Sequence, residues 1–406
     1  MEPVSFCIVG VGGHGARHVK STLILEQEAL GKISAVVIRS PEKYANEVDF
    51  FRDRGVKIYK DYDEMLEAEK GQTEIVALPT AIHQHKEMTI KALENGYNVI
   101  VEKPPAATIQ DLDEMLEAER KSGKFCAVGF QFLYMKTVRK LKEYICDGKL
   151  GEIEKVLVKG KWKRQDSYYE RTPWAGKFIY NGQYVLDGTI NNPLAHFLMN
   201  SLYFASRKRG EADNPKLVRA ELYRGHQIEG EDTSCLQVEL DSGGQIFFFA
   251  TLCSPKQSNP SHRIIGTKGT ADWITGEEVF IKYINGRCEI IKDDDPNEMT
   301  NAFRNVARYL RGMDETISCP LRITRPFVLT VNGAYESAHS IKQIPDEYIL
   351  RKKEGESIST IIENIDEIID RSFEEHKLYS DLGIKWAYRT DFFCLDGYSH
   401  FDMKLE

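Results

Sequence analysis

The chain has no apolar run near the roughly 20 residues that a membrane-spanning helix needs, which excludes the α-helical membrane class. It has no basic excess either: 54 lysines and arginines stand against 62 aspartates and glutamates, a formal charge of −8. A nucleic-acid partner, which calls for a basic surface, is thereby disfavoured. The eight cysteines (Cys7, Cys126, Cys146, Cys235, Cys253, Cys288, Cys319 and Cys394) contain no C-x-x-C pair. They read as reduced packing thiols, with neither a disulfide framework nor a zinc site. No internal repeat or low-complexity segment occurs. The first residues lack the basic region, apolar core and cleavage site of a secretory leader, so a cytoplasmic location is expected.

What remains is a globular composition, 42% hydrophobic and 29% charged over 406 residues. That length exceeds one ordinary core, so at least two domains are expected. The most informative junction is Val4-Ser5-Phe6-Cys7-Ile8-Val9 running into Gly10-Val11-Gly12-Gly13-His14-Gly15. An apolar strand pattern feeds a G-x-G-x-x-G turn, and a helix-compatible stretch follows from Ala16 to Leu30. The glycines serve a tight turn, close approach to a pyrophosphate, and tight helix–strand packing. The helix N-terminus offers N–H groups and a positive dipole end to the phosphates, with His14 beside them.

Residues 4 to about 130 alternate apolar runs with helical patterns, the signature of a parallel sheet wound with helices. Expected strands are Val4–Val9, Ile33–Ile38, Glu74–Leu78, Asn98–Val101 and Phe125–Val128, with helices over His85–Asn95 and Ile109–Ser122. After Phe130 the texture changes. A helix over Met135–Asp147 leads into a long strand, Glu152–Arg164, and further strands follow at Leu217–Tyr223, Ser234–Leu240, Gln245–Leu252, Arg263–Gly266, Ala271–Ile274 and Val279–Tyr283. Turn pairs between several of them favour an antiparallel sheet. Helices recur at Asn297–Arg311 and Arg325–Lys342. In the tail, Ile358, Ile361, Ile362, Ile365, Ile368, Ile369 and Phe373 follow helical spacing, which predicts one acidic amphipathic helix docked on the body or at a subunit interface.

A second motif completes the strand Val99-Ile100-Val101 with Glu102-Lys103-Pro104-Pro105, placing a lysine at a strand's carboxyl end, where open parallel sheets bind ligands. Pro104 biases Lys103 toward extended geometry. Together with Leu78-Pro79-Thr80-Ala81-Ile82-His83, this order resembles the glucose–fructose oxidoreductase and inositol dehydrogenase superfamily, Gfo/Idh/MocA, over roughly residues 4 to 345. The resemblance implies a Rossmann domain (1–130), an α+β substrate and oligomerisation domain with a large, mostly antiparallel sheet (131–345), and a C-terminal helical extension packing on the body (346–406). It implies a homodimer or homotetramer through that sheet. It also implies cofactor contacts from Gly10, Gly12, Gly13, His14, Gly15, Pro79, Thr80, His83, Glu102 and Lys103, with Lys103 at the reacting centre.

An NAD-preferring Rossmann domain ends its second strand with a carboxylate for the ribose hydroxyls. Here Val36-Val37-Ile38 ends in Arg39 and Ser40, a cation and a hydroxyl that suit a 2′-phosphate, so NADP is the expected cofactor and NAD remains possible. Arg39 stacking on adenine or facing water is the alternative. For the reaction, the family supplies a D-x-x-x-H pair after a glycine-rich loop. Asp187 matches the aspartate, but Asn191 stands where histidine is expected, and an amide cannot take a proton. Asn192-Pro193 reads as an N-cap and first helical residue, which puts His196 in a helix's opening turn as the substitute base. The same residue also fits simple packing among Phe197, Leu198 and Leu202.

The stretch from Trp162 to Lys177 mixes aromatics with charged groups, a composition that suits sugar rings or packing on the sheet. Arg164, Tyr169, Trp174 and Lys177 are its candidate substrate contacts. His14, His18, His83 and His85 lie in no metal-ligand spacing, and His83 is read as capping the next helix. The expected function is hydride transfer between NAD(P) and a secondary hydroxyl or ketone of a sugar, cyclitol or glycoside. Two alternatives stay open: a glycoside-cleaving enzyme that retains its NAD through transient oxidation, and a non-catalytic nucleotide-sensing regulator.

Overall fold

In the structure, a computed structural model, residues 2–292 and 297–404 are described. Met1, 293–296 and the last two residues, which the expected domains include, lie outside them. The chain divides into two compact units, one holding residues 2–106, 110–135 and 297–324, the other 107–109, 136–292 and 325–404.

The first unit is a six-stranded parallel sheet. Its strands are β1 (Val4–Val9), β2 (Gly31–Val37), β3 (Lys57–Tyr59), β4 (Ile75–Leu78), β5 (Asn98–Val101) and β6 (Cys126–Val128), in the order β3-β2-β1-β4-β5-β6. All residues of β1, β4 and β5 are buried, as expected for strands covered on both faces. The helix His14–Gln27 starts two residues before the expected stretch and ends three earlier. Ile109–Ser122 is as expected, and His85–Glu94 stops one residue short. A short helix, Tyr62–Ala68, is N-capped by Asp61, whose carboxylate accepts the Glu64 N–H at 3.0 Å. The strand β3 carries only three residues, too few for an alternating signal.

The helix Glu298–Leu310 packs on this first unit, although it lies far along the chain. Met299, Phe303, Val306 and Ala307 enter the same core as Val4, Phe6, Leu25 and Ile33. Phe6 and Phe303 sit with ring centroids 5.6 Å apart.

The second unit is built on a ten-stranded, mostly antiparallel sheet. Its long first strand is β7 (Ile153–Lys161); a small separate hairpin, β8 (Ile179–Tyr180) and β9 (Gln183–Tyr184), precedes the rest. The others are β10 (Pro215–Arg224), β11 (Thr233–Leu240), β12 (Gln245–Thr251), β13 (Ser261–Gly266), β14 (Gly269–Ile274), β15 (Val279–Tyr283), β16 (Cys288–Ile291), β17 (Lys342–Gln343) and, beyond the hairpin β18 (Ile349–Glu354) and β19 (Ser357–Ile362), β20 (Phe393–Cys394). The order is β16-β15-β14-β13-β7-β12-β11-β10-β17, with β20 also on β10. Among the described residues, only the β7–β12 and β10–β17 pairs of this sheet are parallel. The helix Ala195–Ala205 is buried on every side, in keeping with a mostly apolar sequence interrupted by His196, Asn200 and Ser201.

The tail corrects the expected single helix. Ser357–Ile362 is strand β19, paired with β18 around a turn at Gly355 (φ +64°), and the helix runs only over Ile365–Glu375. Asn364 takes a left-handed conformation (φ +56°) at the break. Isoleucines at 358, 361 and 362 fit helical spacing by coincidence; Ile358 is exposed on the hairpin. From Lys377 to Lys404 the chain is largely irregular, so the extension is not helical as a whole. Ile362, Ile365, Ile369, Phe373, Leu378 and Tyr379 nevertheless dock on Leu157, Cys235, Phe247 and Phe249 of the large sheet. Each fully buried side chain of this size stabilises by about 1.5–3 kcal/mol. Among the described residues, no helix is long and apolar enough to cross a membrane.

Candidate functional site

In the first unit the glycine-rich turn is crowded at two of its glycines, Gly12 and Gly15. A Cβ on Gly15 would lie 2.1 Å from the Gly10 carbonyl oxygen, and one on Gly12 would lie 2.3 Å from the Tyr44 hydroxyl. Gly10 has φ +92° and Gly13 φ +55°, conformations that favour glycine. Gly13 caps the helix His14–Gln27 without any side-chain hydrogen bond, so no capping side chain claims the N–H groups there. These features fit a dinucleotide pyrophosphate. Arg39 and Ser40 lie exposed just past the end of β2.

The carboxyl ends of β4 and β5 adjoin this turn. Glu102 is buried, and its carboxylate meets His18 Nε2 at 2.8 Å and His14 Nε2 at 3.5 Å. Its other oxygen accepts the Lys103 N–H at 3.2 Å. Burial pushes Glu102 up, but the His18 hydrogen bond and the nearby His14, His18 and Lys103 charges outweigh it and hold the carboxyl well below the usual range. For His14, burial outweighs the attraction of Glu102 and the value is lowered. Lys103 is half-buried, and its bond to Pro104 is cis. The ring of His85 spans from the Pro104 carbonyl (2.7 Å) to the Thr80 carbonyl (3.0 Å), tying the two strand ends together. Pro79 and Thr80 are half-buried, and the Thr80 hydroxyl has no hydrogen-bond partner among the described residues. His83 lies in a short 3-10 turn, Ile82–Gln84; Gln84, and not His83, occupies the cap position of the following helix.

Sequence reading named His14, Glu102 and Lys103, and the structure brings all three together. It missed His18 and His85. His18 is wholly buried and meets Glu102 across 84 residues, while the almost wholly buried His85 joins Thr80, five residues back, to Pro104, nineteen on; no local pattern announces either role.

In the second unit Asp187 is buried. One carboxylate oxygen accepts the Gly176 N–H at 2.7 Å, with the Arg171 guanidinium at 3.5 Å; the other accepts from the Asn192 amide at 2.7 Å. Asn192 is not the helix cap expected from sequence. The helix begins at Ala195, after a Leu194 cap, and buried His196 is its second residue. The Asn191 amide donates to the Val185 carbonyl at 3.1 Å, while its buried Oδ1 has no partner among the described residues.

The loop before Asp187 forms a ladder of cations on rings. The Arg164 guanidinium lies 4.7 Å from the Trp162 centroid and 5.1 Å from that of Tyr168; Arg171 lies 3.8 Å from Tyr168 and 5.5 Å from Trp174. Lys177 pairs with Glu229 at 2.7 Å. Tyr169, the tyrosine named from sequence, instead turns onto His226, with centroids 4.9 Å apart. There it joins a buried cluster in which Asp232 accepts from the Gly225 and His226 N–H groups and contacts the His226 ring, with Cys253 Sγ at 3.4 Å from that ring. Tyr168 takes the place in the ladder.

Residues 4–130 match the oxidoreductase family with an NAD-binding Rossmann fold. Over those residues the chain is similar to the Gfo/Idh/MocA oxidoreductase family. It is 32% identical over 153 residues to 2,7-anhydro-N-acetylneuraminate hydratase of Mediterraneibacter gnavus, a match that covers 38% of each chain. It is 23% identical over 310 residues to glucose-6-phosphate 3-dehydrogenase of Bacillus subtilis, covering 72% of this chain and 82% of that one. Among solved structures, the WlbA dehydrogenase of Bordetella pertussis, in complex with NADH and UDP-GlcNAcA, has the same fold. Its TM-score is 0.68 at 22% identity, over 83% of this chain and 97% of that one.

Proposed function

We propose that the protein is an NAD(P)-dependent oxidoreductase interconverting a secondary hydroxyl and a ketone on a sugar, cyclitol or glycoside. The observation that carries this reading is the cluster of His14, His18, Glu102 and Lys103, which joins the glycine turn to a lysine at a strand's end. When bound, the dinucleotide supplies the hydride chemistry of its nicotinamide C4. Gly10, Gly12, Gly13 and Gly15 would hold its pyrophosphate, and Arg39 with Ser40 favours a ribose 2′-phosphate, hence NADP over NAD.

In this reading the Lys103 ammonium donates to the reacting oxygen and stabilises negative charge there. Glu102 fixes that lysine's backbone and adds a nearby negative charge. His196 takes the hydroxyl proton, imidazole being the side-chain base suited to neutral pH. Asn191 offers its unpartnered Oδ1 to a sugar hydroxyl, and Asp187 orders the loop that carries Arg171 and Trp174. The Trp162–Trp174 ladder presents ring faces for sugar C–H groups and guanidinium donors for hydroxyls or a negative substituent. The relatives' names support a carbohydrate-type substrate.

One relative is named a hydratase, and this favours a second reading: turnover on a retained nicotinamide, without net oxidation. A panel of sugars, cyclitols and glycosides incubated with NADP or NAD distinguishes the two, with reduced-nicotinamide absorbance and sugar products followed together. Absorbance gain supports the dehydrogenase; product without gain supports the second; neither, across the panel, rejects both. Assembly as a homodimer or homotetramer through the large sheet stays part of the proposal. The tail covers strands near β7 and β12, whereas Phe280 and Ile290, paired across β15 and β16, are exposed. Sedimentation of the full chain tests it.

A further inference from the structure

The turn that carries Asp187 and Asn191 rests on a second carboxylate. Glu231 is fully buried. One of its oxygens accepts the Ile190 N–H at 3.1 Å and lies 3.3 Å from the Thr189 hydroxyl. The other accepts from the Tyr335 hydroxyl at 2.5 Å, and the Glu231 backbone carbonyl takes the Thr189 N–H at 3.3 Å. The fit has no slack. A Cβ on Gly188 would fall 1.8 Å from the Glu231 carboxyl, and one on Gly230 would fall 2.4 Å from the Asp187 carbonyl oxygen.

We propose that Glu231 is a positioning residue for the Asp187 site: its protonated carboxyl clamps the Gly188–Ile190 turn, and losing that proton loosens the turn and weakens sugar binding. This rests on the reading of the Asp187–Asn191 segment as substrate-binding. The charged surroundings support it. Burial pushes the carboxyl up to about 7; hydrogen bonds from Tyr335 and Ile190 pull the other way, and the Asp187 charge adds to the rise. Tyr335 is itself held neutral, first by burial and then by Glu231. Arg171 faces Asp187, and Asp232, next along the chain, spends its carboxylate on Gly225 and His226. An ionised Glu231 would be buried and, in addition, near a like charge, so the clamped turn loses stability as pH rises from the ordinary carboxylate range toward about 7.

Hydrogen exchange of the full-length protein tests this without knowing the substrate. After correction for intrinsic exchange, protection of the Thr189 and Ile190 amides should fall by up to about tenfold per unit between pH 5 and pH 7 and level off above. In E231Q, which keeps the shape and cannot ionise, it should stay flat. Y335F removes a donor to the ionised form and should move the fall to higher pH. With whichever panel sugar sustains turnover, KM should rise as pH climbs past about 7, where the closed form itself ionises, in the wild type and not in E231Q, while kcat keeps one pH profile in both. Flat protection in the wild type, or an unchanged fall in E231Q, overturns the proposal. Should E231Q not fold, a Y335F profile superimposed on the wild type overturns it equally. Wild-type KM and kcat in D187N would instead remove the site reading, which the exchange data leave untouched.

Discussion

Replacing Gly15 with alanine puts the nucleotide turn to a quantitative test. The added Cβ would lie 2.1 Å from the oxygen and 2.8 Å from the carbon of the Gly10 carbonyl, both backbone atoms. Gly10 cannot retreat freely, because its own N–H donates to the Val37 carbonyl at 2.9 Å. The turn must open, and overpacking of this kind costs about 1–3 kcal/mol. An opened turn also moves the amides that would face a pyrophosphate. Gly12 is the contrasting case: its Cβ would meet the tip of Tyr44, a side chain that can swing aside. G12A should leave the stability of the nucleotide-free protein within about 0.5 kcal/mol and still weaken NADP binding, since the clash falls on the bound pyrophosphate. G15A should lose both stability and binding. Urea unfolding without nucleotide, paired with calorimetric titration of NADP, reads the two effects separately. A G15A protein as stable and as tight-binding as the wild type would refute the reasoning.

Other substitutions follow from the same geometry. R39D should lower affinity for NADP by roughly tenfold or more, at about 1.4 kcal/mol per factor of ten, and leave NAD binding little changed; equal losses for both would remove Arg39 from phosphate recognition. K103A should retain NADP binding while turnover falls about 10²–10³-fold; unaltered turnover on an active panel sugar would exclude the lysine. Burial lowers His262 to about 4, and its ring meets the Phe197 carbonyl at 3.1 Å. A buried histidine kept neutral stabilises fully above its unfolded value near 6.5, and that contribution is lost as pH falls toward about 4. Between pH 7 and pH 5 the wild type should lose about 2 kcal/mol more than H262F in urea melts; parallel losses would contradict this.

The parts of this molecule that could be read from sequence are those whose causes are local. Val4–Val9 and the turn after it lie in one stretch, so strand, glycines and helix appear in order. Ile109–Ser122 carries its own apolar periodicity. Glu298–Leu310 is visible as a helix, yet nothing in its pattern says that Phe303 packs on Phe6. The tail isoleucines obey helical spacing and still divide between a hairpin and a helix, because Gly355 and Asn364 bend the chain through positive φ. That Gly355 turn was the available signal. At the site, Lys103 and Asp187 stand out by motif, whereas His18 meets Glu102 across 84 residues. Asn192-Pro193 imitates a helix cap, but the regular helix starts only at Ala195, behind Leu194, and the Asn192 amide donates to the Asp187 carboxylate. Tyr168 and Tyr169 are equivalent as letters, and only the backbone decides which one faces Arg164.

The central claim is that a pyridine dinucleotide binds at the glycine turn beside Glu102 and Lys103. Isothermal titration of nucleotide-free protein with NADP and NAD, oxidised and reduced, tests it most directly. The account predicts saturable one-site uptake, stronger for the 2′-phosphorylated form and weakened in G15A. Absence of heat and of any thermal stabilisation with all four nucleotides would contradict it.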